Sequence, residues 1–221
     1  MSKKSLEEYL MISQKNIKNK NSIDCLKANL LLKGTCHITN DNLFLSREQW
    51  KTLKHEISLL EYKKISIGDT KEPLSFWVSR VKLPKDENIK NKIIFDIIDS
   101  TQCRQLFSLI TGINHFFIDR CQCHFYEEGD FISIHRDKDS CEEYEYVLSF
   151  YFDGDYKGGE FVVHLPNGEK DVYVPRSGEI LISTCEYLHE VKTVKSGKRN
   201  VLHAFIQPMK IDFEDSHKGF V

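Results

Sequence analysis

Two side chains that can hold a metal ion, His135 and Asp137, stand two positions apart at the end of the apolar segment Phe131–His135. On an extended chain, side chains at positions i and i+2 leave the same face, so both can reach one point while Arg136 points away. His189 lies in a later apolar segment that can fold back beside this pair. Two imidazoles and one carboxylate form the facial triad that holds Fe(II) and leaves neighbouring positions open. The spacing therefore predicts a metal site of these three residues.

Two further polar residues, Arg199 and Tyr126, are candidates for binding a carboxylate near that metal. Arg199 follows a Gly-containing turn and begins the last apolar segment, where its guanidinium can pair fork to fork with a carboxylate. The Tyr126 hydroxyl can donate to the same group. Alternation places Lys198 on the opposite face, so Arg199 is preferred. Taken singly, Arg199 also fits a surface turn residue and Tyr126 a core aromatic residue.

Short apolar segments separated by Gly or Pro turns fill the chain after Phe117 and predict eight strands. Their close, regular spacing indicates an antiparallel sandwich or barrel. The predicted strands are Cys121–Tyr126, Phe131–His135, Tyr144–Phe152, Glu160–His164, Asp171–Val174, Glu179–Cys185, Leu188–Val194 and Asn200–Gln207.

The chain before Phe117 has a helical pattern instead. Apolar residues recur at helical spacing, and Ser46 with Gln49 forms a capping-box pattern. Helices are predicted over Ser5–Ile17, Ser46–Leu60 and Asn91–Thr111, and a strand followed by a long loop over Tyr62–Asp86. We interpret this region as helices that cover the sheet.

Composition limits the classes of protein to consider. The 221 residues carry 31 Lys and Arg against 33 Asp and Glu, so the net charge is −2, which disfavours a binder of phosphate backbones. The seven cysteines include no CxxC pair, which argues against a zinc ribbon or a disulfide framework and favours a reducing, cytoplasmic setting. No apolar run approaches the ~18 residues that a membrane span requires, and the N-terminus lacks a signal-peptide pattern.

Four motifs then resemble those of the Fe(II)/2-oxoglutarate dioxygenases. Tyr126–Asp137 resembles the opening pattern Y-x-x-G-D-x-x-x-x-H-x-D, and Gly158–Phe161 resembles the G-G-x-F/L turn. Pro175–Gly178 and His189–Arg199 resemble the closing motifs. The motifs occur in the right order and spacing, cover about residues 117–208, and are most similar to the prolyl 4-hydroxylase-like branch.

The resemblance implies a fold and a set of ligands. The fold class is mainly β with N-terminal helices around a double-stranded β-helix (jelly-roll) core. It implies a helical extension over residues 1–116 that packs on the core, the core itself over 117–208, and a C-terminal tail over 209–221. It assigns His135, Asp137 and His189 to Fe(II), and Arg199 with Tyr126 to the C5 carboxylate of 2-oxoglutarate. O2 is the oxidant, and ascorbate is a further reductant.

The resemblance also implies a reaction, the hydroxylation of an unactivated C–H with release of succinate and CO2. Related halogenases have a small residue where Asp137 stands, so hydroxylation is favoured here. The expected substrate is an amino acid, free or in a peptide, with proline-like substrates suiting the branch. Two alternatives stay open: an oxidative demethylase of nucleic acid, which the charge disfavours, and a non-catalytic jelly-roll binding module, which the intact triad disfavours.

Alternation along the predicted strands also suggests which side chains surround the site. Asp139, Ser183 and Glu186 are candidates for orienting the imidazoles. The residues expected to face the mouth of the barrel are Arg120, Ser133, Tyr146, Tyr151 and His203.

Overall fold

A computed structural model describes residues 22–39, 44–85, 88–152 and 154–209. The predicted helix Ser5–Ile17 and all of the C-terminal tail after Met209 lie outside these residues. Four helices are found in the described chain: α1 (Ile23–Lys33), α2 (Arg47–Ser58), α3 (Lys92–Ile98) and α4 (Thr101–Thr111). Among the described residues, none of the helices has both the length and the apolar character that a membrane crossing requires.

The helix predictions had mixed outcomes. The predicted helix at Ser46 is confirmed as α2, since Ser46 and Gln49 form the reciprocal capping box. The prediction of one helix over Asn91–Thr111 is wrong, because Ser100 adopts an extended backbone and caps a new helix by accepting a hydrogen bond from the Cys103 N–H. Helix α1 was not predicted, since its apolar residues do not form a distinct stripe.

Thirteen strands are described, and most of them form one antiparallel sheet. They are β1 (Thr35–Ile38), β2 (Lys63–Ile67), β3 (Leu74–Lys82), β4 (Phe116–Tyr126), β5 (Phe131–His135), β6 (Tyr146–Tyr151), β7 (Lys157–Gly158), β8 (Phe161–His164), β9 (Lys170–Tyr173), β10 (Ile180–Thr184), β11 (His189–Val191), β12 (Val194–Ser196) and β13 (Arg199–Pro208). The main sheet runs β1-β10-β6-β13-β4-β3-β5-β11-β8-β9, with β2 beside β3, and β7 pairs with β12 separately.

The N-terminal region contributes strands as well as helices. The strand and long loop predicted over Tyr62–Asp86 are instead the hairpin of β2 and β3, and β3 pairs with β4. β1 pairs with β10 at the other end of the sheet. The region before Phe116 is therefore not helical alone, because part of it extends the sheet.

The two faces of the sheet have different roles. Along β6, Leu148 and Phe150 join the core beneath the helices, where the Trp50 ring lies 6.0 Å from that of Phe150. Val147 and Ser149 point the other way and line a cavity. Since β8 and β11 line the same cavity as β6 and β13, the two halves of the curled sheet face each other across it. The helices thus support the wall of this cavity from outside.

A glycine at the end of β7 allows a close approach to the chain that leads into β12. Gly158 has a φ of 73°, and a Cβ there would lie 2.2 Å from the Thr193 carbonyl oxygen. We expect Gly158→Ala to lower the free energy of unfolding by at least ~3 kcal/mol, measured by urea denaturation. Gly168→Ala is the matched control, since its φ is 88° but nothing lies within 4 Å of its added Cβ. Equal losses in the two variants would contradict the steric argument.

Candidate active site

The structure brings His135, Asp137 and His189 together, with one ligand atom from each lying within 4.8 Å of the others. His135 ends β5, Asp137 begins a short 3-10 turn, and His189 begins β11 directly opposite His135. The two imidazole Nε2 atoms lie 3.7 and 3.5 Å from the Asp137 carboxylate oxygens. This donor set, two imidazoles and one carboxylate converging from one side, could bind iron.

A β-bulge in β5 aims His135 at this point. His135 pairs with His189, but Ile132 pairs with Val191, so β5 has one more residue than β11 between the two pairs. Such a bulge re-aims the side chains that follow it. Ile132 and His135 consequently both line the cavity, whereas Ile134 is exposed.

The bulge also corrects the expectation for Ser133. Simple alternation predicted that Ser133 faces the mouth, but it is not among the residues that line the cavity. Its carbonyl instead accepts a hydrogen bond from His135 Nδ1 at 2.9 Å, and the Tyr187 carbonyl accepts one from His189 Nδ1 at 3.0 Å. Because both protons sit on Nδ1, both Nε2 atoms are left as acceptors towards the metal position.

The three residues predicted to orient the imidazoles have other contacts. Asp139 pairs with Arg136 at 2.8 Å, and Glu186 pairs with Lys138 at 3.2 Å, both at the surface. Ser183 lines the cavity. Backbone carbonyls orient the rings instead, and side-chain types alone gave no signal for that arrangement.

The charge of the triad is set by burial and by mutual contact. Burial by itself would raise the pKa of the Asp137 carboxyl, but the His189 and His135 imidazoles bring it below its ordinary value. Burial lowers the pKa of His189. Burial also acts to lower the pKa of His135, but the interactions with Asp137 and the Ser133 carbonyl together outweigh it and raise that pKa. The carboxylate is therefore ionised at neutral pH, as a metal ligand must be.

Arg199 lies at the floor of the same cavity with part of its guanidinium unpaired. Its side chain is 1% exposed, and its Cζ lies 4.7 Å from the Tyr126 ring centroid and 5.3 Å from that of Tyr151. Its Nε and Nη1 atoms have no hydrogen-bond partner among the described residues. Buried polar groups without a partner are costly, so this arrangement fits an anion binding here.

Tyr126 stands beside this guanidinium, as the sequence led us to expect. It is directly across from Arg199 in the pairing of β4 with β13, and it is fully buried in the cavity wall. Burial raises the pKa of Tyr126 to about 12, so its hydroxyl keeps its proton. The hydroxyl can therefore act as a donor to an anion held by Arg199.

Sequence reasoning missed a polar chain behind Tyr126. His124 was interpreted as a surface or structural histidine, but it lines the cavity. Gln122 Nε2 donates to His124 Nε2 at 2.8 Å, so His124 carries its proton on Nδ1, which donates to the Tyr126 hydroxyl at 3.2 Å. Tyr126 then has its own proton available for the cavity. The alternation of 122, 124 and 126 along one strand was the signal that could have revealed this chain.

The residues expected at the mouth occupy varied positions. Tyr146 faces the helices, with its ring 6.0 Å from Phe107, because it has the opposite parity to the inward residues of β6. Tyr151 lies at the floor against Arg199 rather than at the mouth. His203 lines the cavity and bonds Ser149 at 2.8 Å. Arg120 alone stays near the rim, beside the cavity-lining ring of Phe205.

The buried His124 predicts how stability depends on pH. Burial first, and then the charge of Arg199, lower the pKa of His124 to about 3, against an ordinary value of 6.5. Below pH 6.5 the unfolded chain binds a proton at His124 that the folded chain does not bind. The stability that the neutral, buried His124 contributes is therefore lost as the pH falls from 6.5 towards 3. Each pH unit in that window should cost ~1.4 kcal/mol. Urea denaturation at pH 7 to 4.5 should give a shallower slope for His124→Gln, and identical slopes would contradict this assignment.

Comparison with known proteins identifies relatives of this chain. Residues 121–207 match the family model of the 2OG-Fe(II) oxygenase superfamily. A PKHD-type hydroxylase of Prochlorococcus marinus (strain MIT 9515) is 40% identical over 62 residues, which cover 28% of each protein. Another, from Synechococcus sp. (strain CC9902), is 30% identical over 137 residues, 60% of this chain and 59% of that protein. The chain thus matches less than two thirds of the length of these curated relatives.

Solved structures resemble the whole described fold. An oxidoreductase of the 2OG-Fe(II) oxygenase family from Burkholderia pseudomallei has a TM-score of 0.79 at 23% identity, covering 86% of this chain and 92% of that one. A Pseudomonas putida prolyl-4-hydroxylase has a TM-score of 0.59 at 16% identity, covering 85% and 100%. These similarities confirm the predicted mainly β fold with a jelly-roll core. The family match over residues 121–207 confirms the predicted resemblance to the Fe(II)/2-oxoglutarate oxygenases, and the fold is similar to that of the prolyl-4-hydroxylase.

Proposed function

We propose that this protein hydroxylates an unactivated C–H of an amino acid, free or in a peptide, since residues 121–207 match the family model of the 2OG-Fe(II) oxygenase superfamily. One atom of O2 enters the product hydroxyl, and the other enters succinate as 2-oxoglutarate loses CO2. The observation that carries this proposal is that the triad and Arg199, whose guanidinium is partly unpaired, line one cavity.

The residues of the cavity fit both groups that this reaction needs. His135, Asp137 and His189 would hold Fe(II), which when bound supplies the centre for oxygen activation. Arg199 and the Tyr126 hydroxyl would bind a carboxylate of 2-oxoglutarate at the floor. Apolar side chains between these ends, Ile132, Phe161 and Val191, would exclude water from the reacting atoms.

The relatives and the cysteine content support the proposed substrate class and cellular location. The names of the cyanobacterial relatives describe hydroxylases, and a proline-like substrate agrees with the prolyl-4-hydroxylase fold. The seven cysteines are all unpaired thiols, which supports a reducing, cytoplasmic location. We also propose residues 117–208 as the catalytic core, with residues 1–116 supporting it and helping to select the substrate.

A succinate-release screen tests this function. The protein is incubated with Fe(II), 2-oxoglutarate, ascorbate and O2, and with free amino acids, short peptides or methylated oligonucleotides. We expect stimulation by an amino acid or peptide, with one hydroxylated product per succinate. Stimulation by oligonucleotides alone would favour a demethylase, and absence of 2-oxoglutarate turnover under every condition would favour a non-catalytic module.

A further inference from the structure

Arg120 has no acidic partner among the described residues. Its guanidinium lies over two aromatic rings, with Cζ 5.1 Å from the Phe205 centroid and 5.4 Å from the Tyr144 centroid. Phe205 lines the cavity that holds the triad, so the guanidinium is next to the cavity wall. Arg120 is half-buried, and its interactions with the described chain are ring contacts rather than hydrogen bonds or ion pairs.

The position of Arg120 along β4 relates it to the floor of the cavity. Arg120 pairs with Phe205 of β13, and Tyr126 pairs with Arg199 in the same ladder, with no register shift between them. Six residues of strand span ~20 Å, and every second side chain of this stretch shares one face. Arg199 and Arg120 therefore lie at opposite ends of one face of the paired strands β4 and β13, with His124 and Gln122 between them.

The local structure keeps the Arg120 charge available. Asp119, its acidic neighbour in sequence, is 2% exposed and faces elsewhere. Its carboxylate accepts hydrogen bonds from the Tyr144 hydroxyl and the Lys85 backbone N–H, both at 2.9 Å. The bond from the Tyr144 hydroxyl holds that ring in place beneath the guanidinium. The result is a fixed cation whose N–H edges are not used by the chain itself.

An arginine held in this way is suited to binding a planar anion. Its N–H fork matches a carboxylate, and stacking on rings leaves the edge of the guanidinium available for that pairing. Partial burial weakens the screening of such a pair by water. The co-substrate carboxylate already has a partner in Arg199, so a carboxylate at Arg120 would belong to a different molecule.

We propose that Arg120 is the specificity-determining residue of this enzyme and binds a carboxylate of the substrate. This inference rests on the proposed function and narrows its substrate class. The substrate is an amino acid or short peptide with an accessible carboxylate, which Arg120 holds at the rim while the carbon to be hydroxylated faces the triad. Capping that carboxylate as an amide removes the pairing and leaves the guanidinium without a partner.

Matched acids and amides test this proposal. Free L-amino acids and dipeptides are compared with their carboxamides in the succinate assay, and kcat/KM is determined for the wild type, Arg120→Gln and Arg120→Lys. We expect the wild type to prefer acids over amides by at least tenfold, chiefly through KM. Arg120→Gln should lose this preference, and Arg120→Lys should keep part of it because its charge lacks the planar fork. Arg47→Gln, the same change at an exposed helix start, should keep the wild-type preference.

Each result bears on either this inference or the proposed function. Equal use of acids and amides by the wild type, or an unchanged preference in Arg120→Gln, overturns the role of Arg120. If no acid in the panel is a substrate, the role of Arg120 is overturned too. In that case, turnover of 2-oxoglutarate in the absence of substrate would still support the proposed function. If 2-oxoglutarate is not turned over at all, the proposed function itself fails.

Discussion

Asp137→Ala should abolish succinate formation and weaken Fe(II) binding by more than ~100-fold. Asp137 supplies the carboxylate between the two imidazoles, with oxygens 3.5 and 3.7 Å from their Nε2 atoms. Outer residues that merely orient metal ligands already contribute 10- to 100-fold in affinity or activity, so loss of a ligand should exceed that range. The checks are a succinate assay at saturating 2-oxoglutarate and an anaerobic Fe(II)-binding titration.

The same turn contains a matched control for this change. Asp139 lies two residues further on, but its side chain is 49% exposed and pairs with Arg136 at the surface. Asp139→Ala removes a carboxylate of the same type without touching the triad, so its turnover should stay close to that of the wild type. If Asp137→Ala released succinate at the same rate as Asp139→Ala, Asp137 would not be a ligand of the metal.

Arg199→Met should weaken 2-oxoglutarate binding by ~2–5 kcal/mol, which corresponds to ~30- to 5,000-fold in Kd. The guanidinium is fully buried, and two of its nitrogen atoms have no partner among the described residues. A bound carboxylate would supply the anionic acceptor that this guanidinium lacks among the described residues. Lys198→Met is the control, because Lys198 is exposed on the other face of the chain, with its Nζ over the Phe125 ring. An effect below tenfold at Arg199 would place the anchor elsewhere.

The stability of the Arg199 variant provides a second readout. Methionine removes a buried charge that lacks an anionic partner, and such a charge costs free energy in the free protein. We therefore expect Arg199→Met to unfold at a temperature at least as high as the wild type when 2-oxoglutarate is absent. Added 2-oxoglutarate should raise the Tm of the wild type and leave that of the variant unchanged. An Arg199→Met variant with a much lower Tm, which 2-oxoglutarate still raises, would contradict this role of Arg199.

Local spacing together with the motif resemblance predicted that His135, Asp137 and His189 come together, and the structure places them so. The His135-x-Asp137 pair followed from strand alternation, whereas His189 and Arg199 were selected with the help of the motifs. The local backbone that positions these side chains differs from the regular extended strand that simple alternation assumes. His135 is aimed by a bulge at Ser133, and Asp137 stands in a 3-10 turn rather than on an extended strand.

The surroundings of the site depended on long-range pairing, which a single sequence does not specify. Tyr151 reaches Arg199 because β6 lies beside β13, and that neighbour relation sets which end of the cavity it faces. Arg120 sits at the rim for the same reason, through its register with Phe205. The contribution of β3 to the sheet also required tertiary information, since its apolar residues read equally well as part of a loop.

An anaerobic titration of the folded protein with Fe(II) and 2-oxoglutarate tests the central claim most directly, namely that one cavity holds both. Joint binding should produce a weak visible charge-transfer band that neither component gives alone, saturating at one equivalent of each. Asp137→Ala should lack the band, and Arg199→Met should require much higher 2-oxoglutarate to form it. A folded wild-type protein that gives no band at saturating concentrations of both would contradict the account.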